Sequence, residues 1–596
     1  MESDNFYIIG GDNEKVSTEI NENSKVVFID KEQEKFRNKY SLIKDFQDKQ
    51  SVLREKWLSF QEEVFKKIQT FLNKDDDFSY LLSSIFFEAS PNKTNSIYKF
   101  FKLKLIIDYI KKENIKNVFL YNVSDDIKNF FYSNTNKLNI SVKTLKVHKE
   151  KTSIKKKFKA LAKKYFITFF FYHFINEYKK KRQKISSHDS ISTKVVLSYY
   201  YPGGQSFNNG FSSKYFESVS SLLNVKYDWL FLYVGNFFKL GKEDRLIRNN
   251  ITSFGFLDAY FAISDFKEII LHFFKIRKKL KSIKVTNLFT FENIDYLSLT
   301  KSEWLTSTTI SLFDLLIFEK KISNFFKKNS QIDEALYLME FQPWEQIFNK
   351  VAKRYNVKTK GVIHSVVRSN VMNYCHPKIA HQYLNMPSFV GVNSEFSRSL
   401  MIKNGFTSDQ ILKIEAQRYN YLSKNQIKVN SEKIKLRKSI LIVTSIIYAE
   451  TKELLEFFAS TNIEFEKIYI KEHHLFRVSS IIKSSIKNFP SFEIVTGSMP
   501  DVFQYSDIVY TANGSSVLLE SVLNKKQTIS LISLSSLPIP SIQKASNLHL
   551  IYDVNSLSKI LNQLISEPVS EKSINDNNNY LYLDEELNLW REFIKK

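Results

Sequence analysis

Two stretches of this chain combine side chains able to transfer protons with the punctuation that ends a strand and opens a helix. In "EALYLMEFQPWEQIF" an apolar run ends at Glu340, Gln342 follows, and Pro343 opens a helix with Glu345 in its first turn. A carboxylate on such an edge can take the proton of an attacking hydroxyl. The next run, "KGVIHS", delivers His364 to an equivalent place, with Arg368 close behind. Imidazole can serve as base or donor, and guanidinium can grip a carboxylate or phosphate through two hydrogen bonds. "PSFVGVNSEFS" sets Asn393 at a further turn, and Arg418 follows "ILKIEA". Plainer readings stand beside these: Glu345 suits a helix N-terminus for dipole reasons alone, and His364 can be a structural hydrogen-bonding residue.

The second stretch, "DIVYTANGSSVLLESVLNK", turns through Asn513 and Gly514 and places Ser515 and Ser516 at a helix start. Free N–H groups, the helix dipole and two hydroxyls there suit an anionic group, although a serine N-cap is also common for structural reasons alone. Glu520, one turn on, can accept from ribose hydroxyls. Upstream, "IYIKEHHLFRV" brings Lys471 and His473 to a strand end. His364, Cys375, His376 and His381 are metal-ligand types without a recognised zinc spacing. No metal or cofactor is expected.

These residues need strands ending along common edges. Glycine is scarce, 13 in all, and Gly203-Gly204 after "KVVLSYYYP" and Gly514 after "DIVYTAN" both fall where a strand gives way to a turn. Alternating strand and helix patterns predict α/β units throughout. An N-terminal α/β domain is expected over 1–142 and a basic aromatic segment over 143–190. Two Rossmann-like domains follow over 191–425 and 436–570, and a C-terminal helix over 571–596. Ligands of such sheets bind outside the strands' carboxyl ends.

Length and charge bound the rest. At 596 residues several domains are expected, and 43% hydrophobic against 25% charged residues is a folded balance. A single cysteine excludes an internal disulfide framework, and the N-terminus does not read as an export leader, so a cytoplasmic site is expected. The net charge of +24 points to an anionic partner. Fifteen Lys or Arg against Glu150 and Glu177 lie between Lys143 and Lys184, around the aromatic run "YFITFFFYHFINEY". That run is short of the roughly 20 apolar residues that span a bilayer. It reads either as a foot on the inner face of an anionic cytoplasmic membrane or as a solvated basic linker around a buried helix. No nucleic-acid motif accompanies the charge, so nucleic acid is not an expected partner.

"KEHH" together with "NGSS" resembles the Lys-x-His-Pro and Ser-Ser motifs of bacterial sialyltransferases, polysialyltransferases and Kdo transferases of the GT-B fold, with His474 where those carry proline. The resemblance implies a GT-B-like pair of Rossmann-type domains facing a cleft, an acceptor-side one over 191–425 and a nucleotide-sugar-binding one over 436–570, preceded here by the additional α/β domain. It also implies that His473, Ser515 and Ser516 hold the phosphate side of a CMP-sugar. "GSSVLLESVLNKKQTISL" is shared in outline with GT-B transferases using UDP or GDP sugars. "YYYPGGQSF", "LMEFQPWEQIF", "GVIHSVVR" and "VNSEFSRSLMIKNGF" resemble bacterial surface-carbohydrate biosynthesis proteins. The implied activity is transfer of a sugar, a nonulosonic acid or Kdo from CMP, to a lipopolysaccharide or capsule glycan. A UDP- or GDP-sugar transferase and a non-catalytic assembly scaffold remain the alternatives.

Overall fold

Apolar runs that are buried over their full length, such as "SILIV" and "IVYTA", form the centres of parallel sheets, as strands covered on both faces must. The computed structural model describes residues 5–596 except 12–19, 22, 31–38, 71–77, 84, 89–95, 148–165, 184, 186, 203–206, 208–209, 214, 282, 284, 368–371, 425–438, 474–476, 487, 507, 536, 538–541, 543–544 and 567–579. The first sheet contains β1 (Asn5–Ile9), β2 (Lys25–Phe28), β3 (Lys39–Tyr40), β4 (Asn117–Val123) and β5 (Ser141–Val147), in the order β3-β2-β1-β4-β5. All its pairings are parallel.

The second sheet is built from β6 (Lys194–Tyr200), β7 (Asp228–Tyr233), β8 (Ser253–Phe256), β11 (Glu334–Leu338), β12 (Lys358–Val362), β13 (Phe389–Val392) and β14 (Ile411–Lys413). A small antiparallel hairpin, β9 (Thr290–Phe291) with β10 (Ile294–Asp295), lies in the long connection before β11. The third sheet is built from β15 (Ser439–Val443), β16 (Lys467–Lys471), β17 (Glu493–Ile494), β18 (Ile508–Ala512), β19 (Gln527–Leu531) and β20 (Leu548–Ile551). The orders are β14-β13-β12-β11-β6-β7-β8 and β17-β16-β15-β18-β19-β20, parallel throughout. Both follow the doubly wound Rossmann plan, whose direction of winding reverses once. The reversal falls between β6 and β11 in the second sheet and between β15 and β18 in the third. The architecture expected from the sequence, two Rossmann-type units and a further α/β unit before them, is the one observed.

One strand crosses a boundary of the sequence reading, and two other segments gain a place in the fold. Strand β5 runs to Val147, past 142, because its pairing with β4 continues through an irregularity in register. The aromatic run from Phe166 forms a helix, Phe166–Arg182, that is docked on the second unit: the Phe170 ring lies 5.0 Å from Phe313 and Phe174 lies 5.3 Å from Phe266. The C-terminal helix, Asn588–Lys595, returns to the second sheet. Trp590, Phe593 and Ile594 join the core cluster of Val196, Trp229 and Val362, and the Glu415 carboxylate caps the helix by accepting from Leu589 N and Trp590 N.

The amino ends of the second sheet are tied for stability. Glu334 accepts from Lys360 Nζ at 2.9 Å and lies 3.3 Å from Lys194 Nζ, while Tyr227 OH also donates to it. The first unit leans on both others. Its helix Leu42–Gln69 stacks Phe60 on Phe100 and meets Tyr296 beside the hairpin, Gln47 donates to Tyr552 OH, and Lys102 Nζ donates to Leu534 O.

Candidate functional site

The carboxyl edge of the second sheet, at its reversal point, carries Glu340. Its side chain keeps 34% of its surface exposed, whereas its peptide is clamped on both sides. Glu340 N donates to both oxygens of Glu345, at 3.1 and 3.0 Å, and Asn373 Nδ2 donates to Glu340 O. Tyr374 OH donates to Met339 O at 3.1 Å, and Gln342 Nε2 donates to the Glu340 carboxylate itself.

The next residue, Phe341, has φ +55°, a conformation that a bulky L residue adopts at a cost of about 1–3 kcal/mol. Its buried ring packs 5.6 Å from Tyr374 and 4.8 Å from His376, which holds the strained turn in place. The turn is what lets the backbone leave β11, keep the Glu340 side chain in reach of solvent, and re-enter the helix Pro343–Arg354.

Glu345 occupies a different place from that expected of a catalytic carboxylate. It is 1% exposed and faces the Glu340 peptide rather than solvent. Burial, reinforced by the Glu340 charge, holds its carboxyl well above the usual carboxylate range. Glu345 is therefore a positioning residue for Glu340.

His364, at the end of β12, is buried, with Nε2 3.6 Å from Glu340 Oε1 and its ring edge-on to Tyr215 at 5.2 Å. Burial lowers its pKa despite the neighbouring Glu340, and the Arg418 charge lowers it further, so the imidazole is neutral at neutral pH. Among the described residues its Nδ1 finds no hydrogen-bond partner. Trp344 Nε1 donates to both Tyr199 OH and Gln342 Oε1 at 3.1 Å, and burial pushes the Tyr199 phenol up. This edge is thus an aromatic, largely dry wall from which one solvent-reaching carboxylate projects.

Arg418 lies within electrostatic reach of both edges. An exposed side chain, it acts electrostatically on His364 and Tyr215 of the second unit and is itself acted on by Glu520 of the third. Glu520 is held between the units, accepting from Tyr421 OH at 2.8 Å and from Ser516 Oγ at 3.2 Å.

On the third sheet's edge, the helix after β18 is shorter than the sequence suggests, Val517–Leu523. Seven residues sum to a smaller dipole than the expected helix. Ser515 Oγ accepts from Val517 N at 3.2 Å, so both serines already have local tasks. Lys471 Nζ donates to Gly497 O at 2.6 Å, and His473 N donates to Thr444 Oγ1 at 2.8 Å, which fixes the His473 backbone beside the β15 end.

Gly514 faces an acid: a Cβ there would stand 3.7 Å from both oxygens of Glu450. Glu450 is fully buried in the first turn of the helix Tyr448–Ser460, where it accepts from Ser445 Oγ. Sequence reasoning missed Glu450, Tyr199, Tyr215 and Tyr421. Only Ser445 and Glu450, at the end of "SILIVTSIIYAE", carried a legible signal, as polar residues just after a strand at the reversal point.

Two predicted residues, Asn393 of the acceptor side and Asn513 of the donor side, are elsewhere occupied. Asn393 is wholly buried: its Nδ2 donates to Ser365 O at 3.0 Å and its carbonyl accepts from Tyr582 N. Asn513 is also buried, with Nδ2 donating to Leu537 O at 2.9 Å. Gly203, Gly204, Arg368 and His474 lie outside the described residues. Among the described residues no group of three or more His, Cys, Asp or Glu is placed to hold a metal ion, and no helix is long and apolar enough to cross a membrane. Cys375 accepts from Arg54 at 3.2 Å.

No described protein family matches the sequence, and no curated protein does. Solved structures with some likeness include the UDP-GlcNAc 2-epimerase of Neisseria meningitidis (TM-score 0.40, 11% identity, 68% of this chain, 100% of that one). That of Methanocaldococcus jannaschii (TM-score 0.37, 12% identity, 68% and 100%) and MurG of Acinetobacter baumannii (TM-score 0.31, 11% identity, 63% and 90%) are also similar.

Proposed function

We propose that the cleft binds a nucleotide-activated sugar and transfers its glycosyl group to a hydroxyl of a bacterial surface glycan. The observation that carries this reading is Glu340: a partly exposed carboxylate on a clamped, strained turn, whose charge is felt with that of Arg418 by both His364 and Tyr215. Arg418 meets the donor's phosphate, and the buried Glu520, whose oxygens already accept from Tyr421 and Ser516, balances the Arg418 charge. The acceptor O–H attacks the anomeric carbon, the bond from that carbon to the donor phosphate oxygen breaks, and the nucleotide leaves with the electron pair. The acceptor proton passes to Glu340. His364, neutral and beside Glu340, orients the carboxylate.

The resemblance of "KEHH" and "NGSS" favours a CMP-activated acid as donor; a UDP or GDP sugar is the alternative, because the seven-residue helix and the buried Glu450 make this edge less phosphate-specific than the motif suggests. Thermal-shift titration against CMP, UDP, GDP and ADP without added metal tests the reading. A ligand at a hundredfold its Kd stabilises by about 2.7 kcal/mol. A selective response names the nucleotide, and silence from all four favours a scaffold that keeps the fold without the activity.

A further inference from the structure

The aromatic, basic helix Phe166–Arg182 is only partly absorbed by the fold. Phe170 and Phe174 turn inward, and Glu177 pairs with Lys321 at 2.8 Å in a buried ion network. Its outer face keeps Tyr172 62% and Tyr178 45% exposed, with Lys179, Lys181 and Arg182 also exposed.

The neighbouring helix, Asp265–Lys281, touches it through Phe170 and Phe274, whose ring centroids lie 5.5 Å apart. That helix buries Phe266, Ile269, Phe273 and Ile276 on its inner side. Helical spacing puts Lys267, Leu271, Phe274, Lys275 and Lys278 on one outer stripe, where Leu271 is 61% and Phe274 49% exposed. Single exposed apolar residues are ordinary, but here two adjacent helices each present large apolar side chains framed by cations. Of the acids nearby, Glu268 is bound to Lys320 at 2.6 Å, and Asp314 lies beside a His173 whose pKa burial lowers; the exposed Lys179, Lys181, Arg182, Lys267, Lys275 and Lys278 outnumber both and set the sign of the face.

We infer that this face, formed by Phe166–Arg182 and Asp265–Lys281, docks the protein on an anionic lipid bilayer. Charge complementarity selects the sign of the partner, and the protruding Leu271 and Phe274 select its kind. A nucleic-acid backbone would leave those side chains in water, whereas the headgroup boundary takes apolar side chains and lysines together. The placement suits the cleft without depending on its chemistry. Asp265–Lys281 packs on helix Ile310–Lys328 through Phe273 and Phe313, 5.5 Å apart, and Phe318 of that helix meets Trp344, 5.7 Å away, two residues from Gln342. The docked face thus lies on the flank of the unit that carries Glu340.

The test is co-flotation of the full chain with vesicles of phosphatidylglycerol and phosphatidylcholine, against phosphatidylcholine alone, at physiological salt. Binding to the mixed vesicles only is expected. Each basic residue near such a surface contributes a factor of about five, so Lys267→Gln, Lys275→Gln and Lys278→Gln together weaken binding about a hundredfold. Leu271→Ser with Phe274→Ser weakens it about tenfold. All five positions are exposed, and an unchanged melting temperature verifies folding. Failure of the parent to bind mixed vesicles overturns the inference. Equal vesicle binding by both variants does so as well, as does binding to duplex DNA as tight as to vesicles and unaffected by Leu271→Ser with Phe274→Ser.

Discussion

The second and third sheets share a winding plan and differ at the edge where it reverses. On the second, an acid reaches solvent from a turn fixed by a strained Phe341, a buried Glu345 and Asn373. On the third, hydroxyls and acids pair with one another, Ser516 with Glu520 and Ser445 with Glu450, and no comparable positive-φ aromatic is present among the described residues of that edge. Strain is kept where a group must be held against relaxation, as at reacting centres. A ligand-holding edge needs donors and acceptors instead. On the proposed function, the reaction belongs to the second sheet and donor binding to the third, with Arg418 between them.

The largest expected effect comes from Glu340→Gln, which keeps shape and hydrogen bonding but removes the base. Transfer falls by roughly 10²–10⁴-fold while nucleotide affinity is unchanged. A matching loss of affinity would break the division of labour. Arg418→Ala reverses the pattern: losing a charge-assisted contact worth about 1.5–3 kcal/mol lowers nucleotide affinity some ten- to hundredfold, read by calorimetry.

The third prediction concerns pH. Burial, with the His381 charge beside it, pushes His376 down to about 3 from its ordinary 6.5, under the ring of Phe341. Between those values the unfolded chain binds the additional proton. The stability tied to neutral His376 is therefore complete above pH 6.5 and is lost as pH falls toward 3, on the order of a few kcal/mol in all. His376→Leu flattens that part of the urea-midpoint profile; an unchanged slope would remove His376 from the support of the strained turn. The smallest effect belongs to Ser515→Ala, which deletes one hydroxyl accepting from Val517 N and costs about 0.5–1.5 kcal/mol of stability.

The comparison also shows what a sequence reader can see. Strands such as "SILIV" and "KVVLSYY" are continuous apolar runs, so three α/β units were legible, as was the position of Glu340 behind one of them. Pro343 announced its helix. The role of Glu345 was not legible, because helix-start acids look alike whether they face water or reach back to a peptide N–H. Phe341 gave no sign of its positive φ, a conformation that phenylalanine adopts only when surrounding contacts impose it. The serines of "NGSS" misled in part: the pattern fixes a strand-to-helix turn, but helix length is set by where Asn524 and Lys525 break it, the latter at φ +58°. Glu450 and Tyr421 meet Gly514 and Glu520 only through folding, at separations no local pattern records.

The most direct test of the account is hydrogen exchange of the full chain with and without the nucleotide that gives the largest thermal shift. Slowed exchange over 513–520 and 417–421, with 339–345 unchanged until a glycosyl donor is present, is the predicted result. Protection confined to the crevice between the first and third units, around Lys44, Gln47 and Tyr552, would place the nucleotide elsewhere and contradict it.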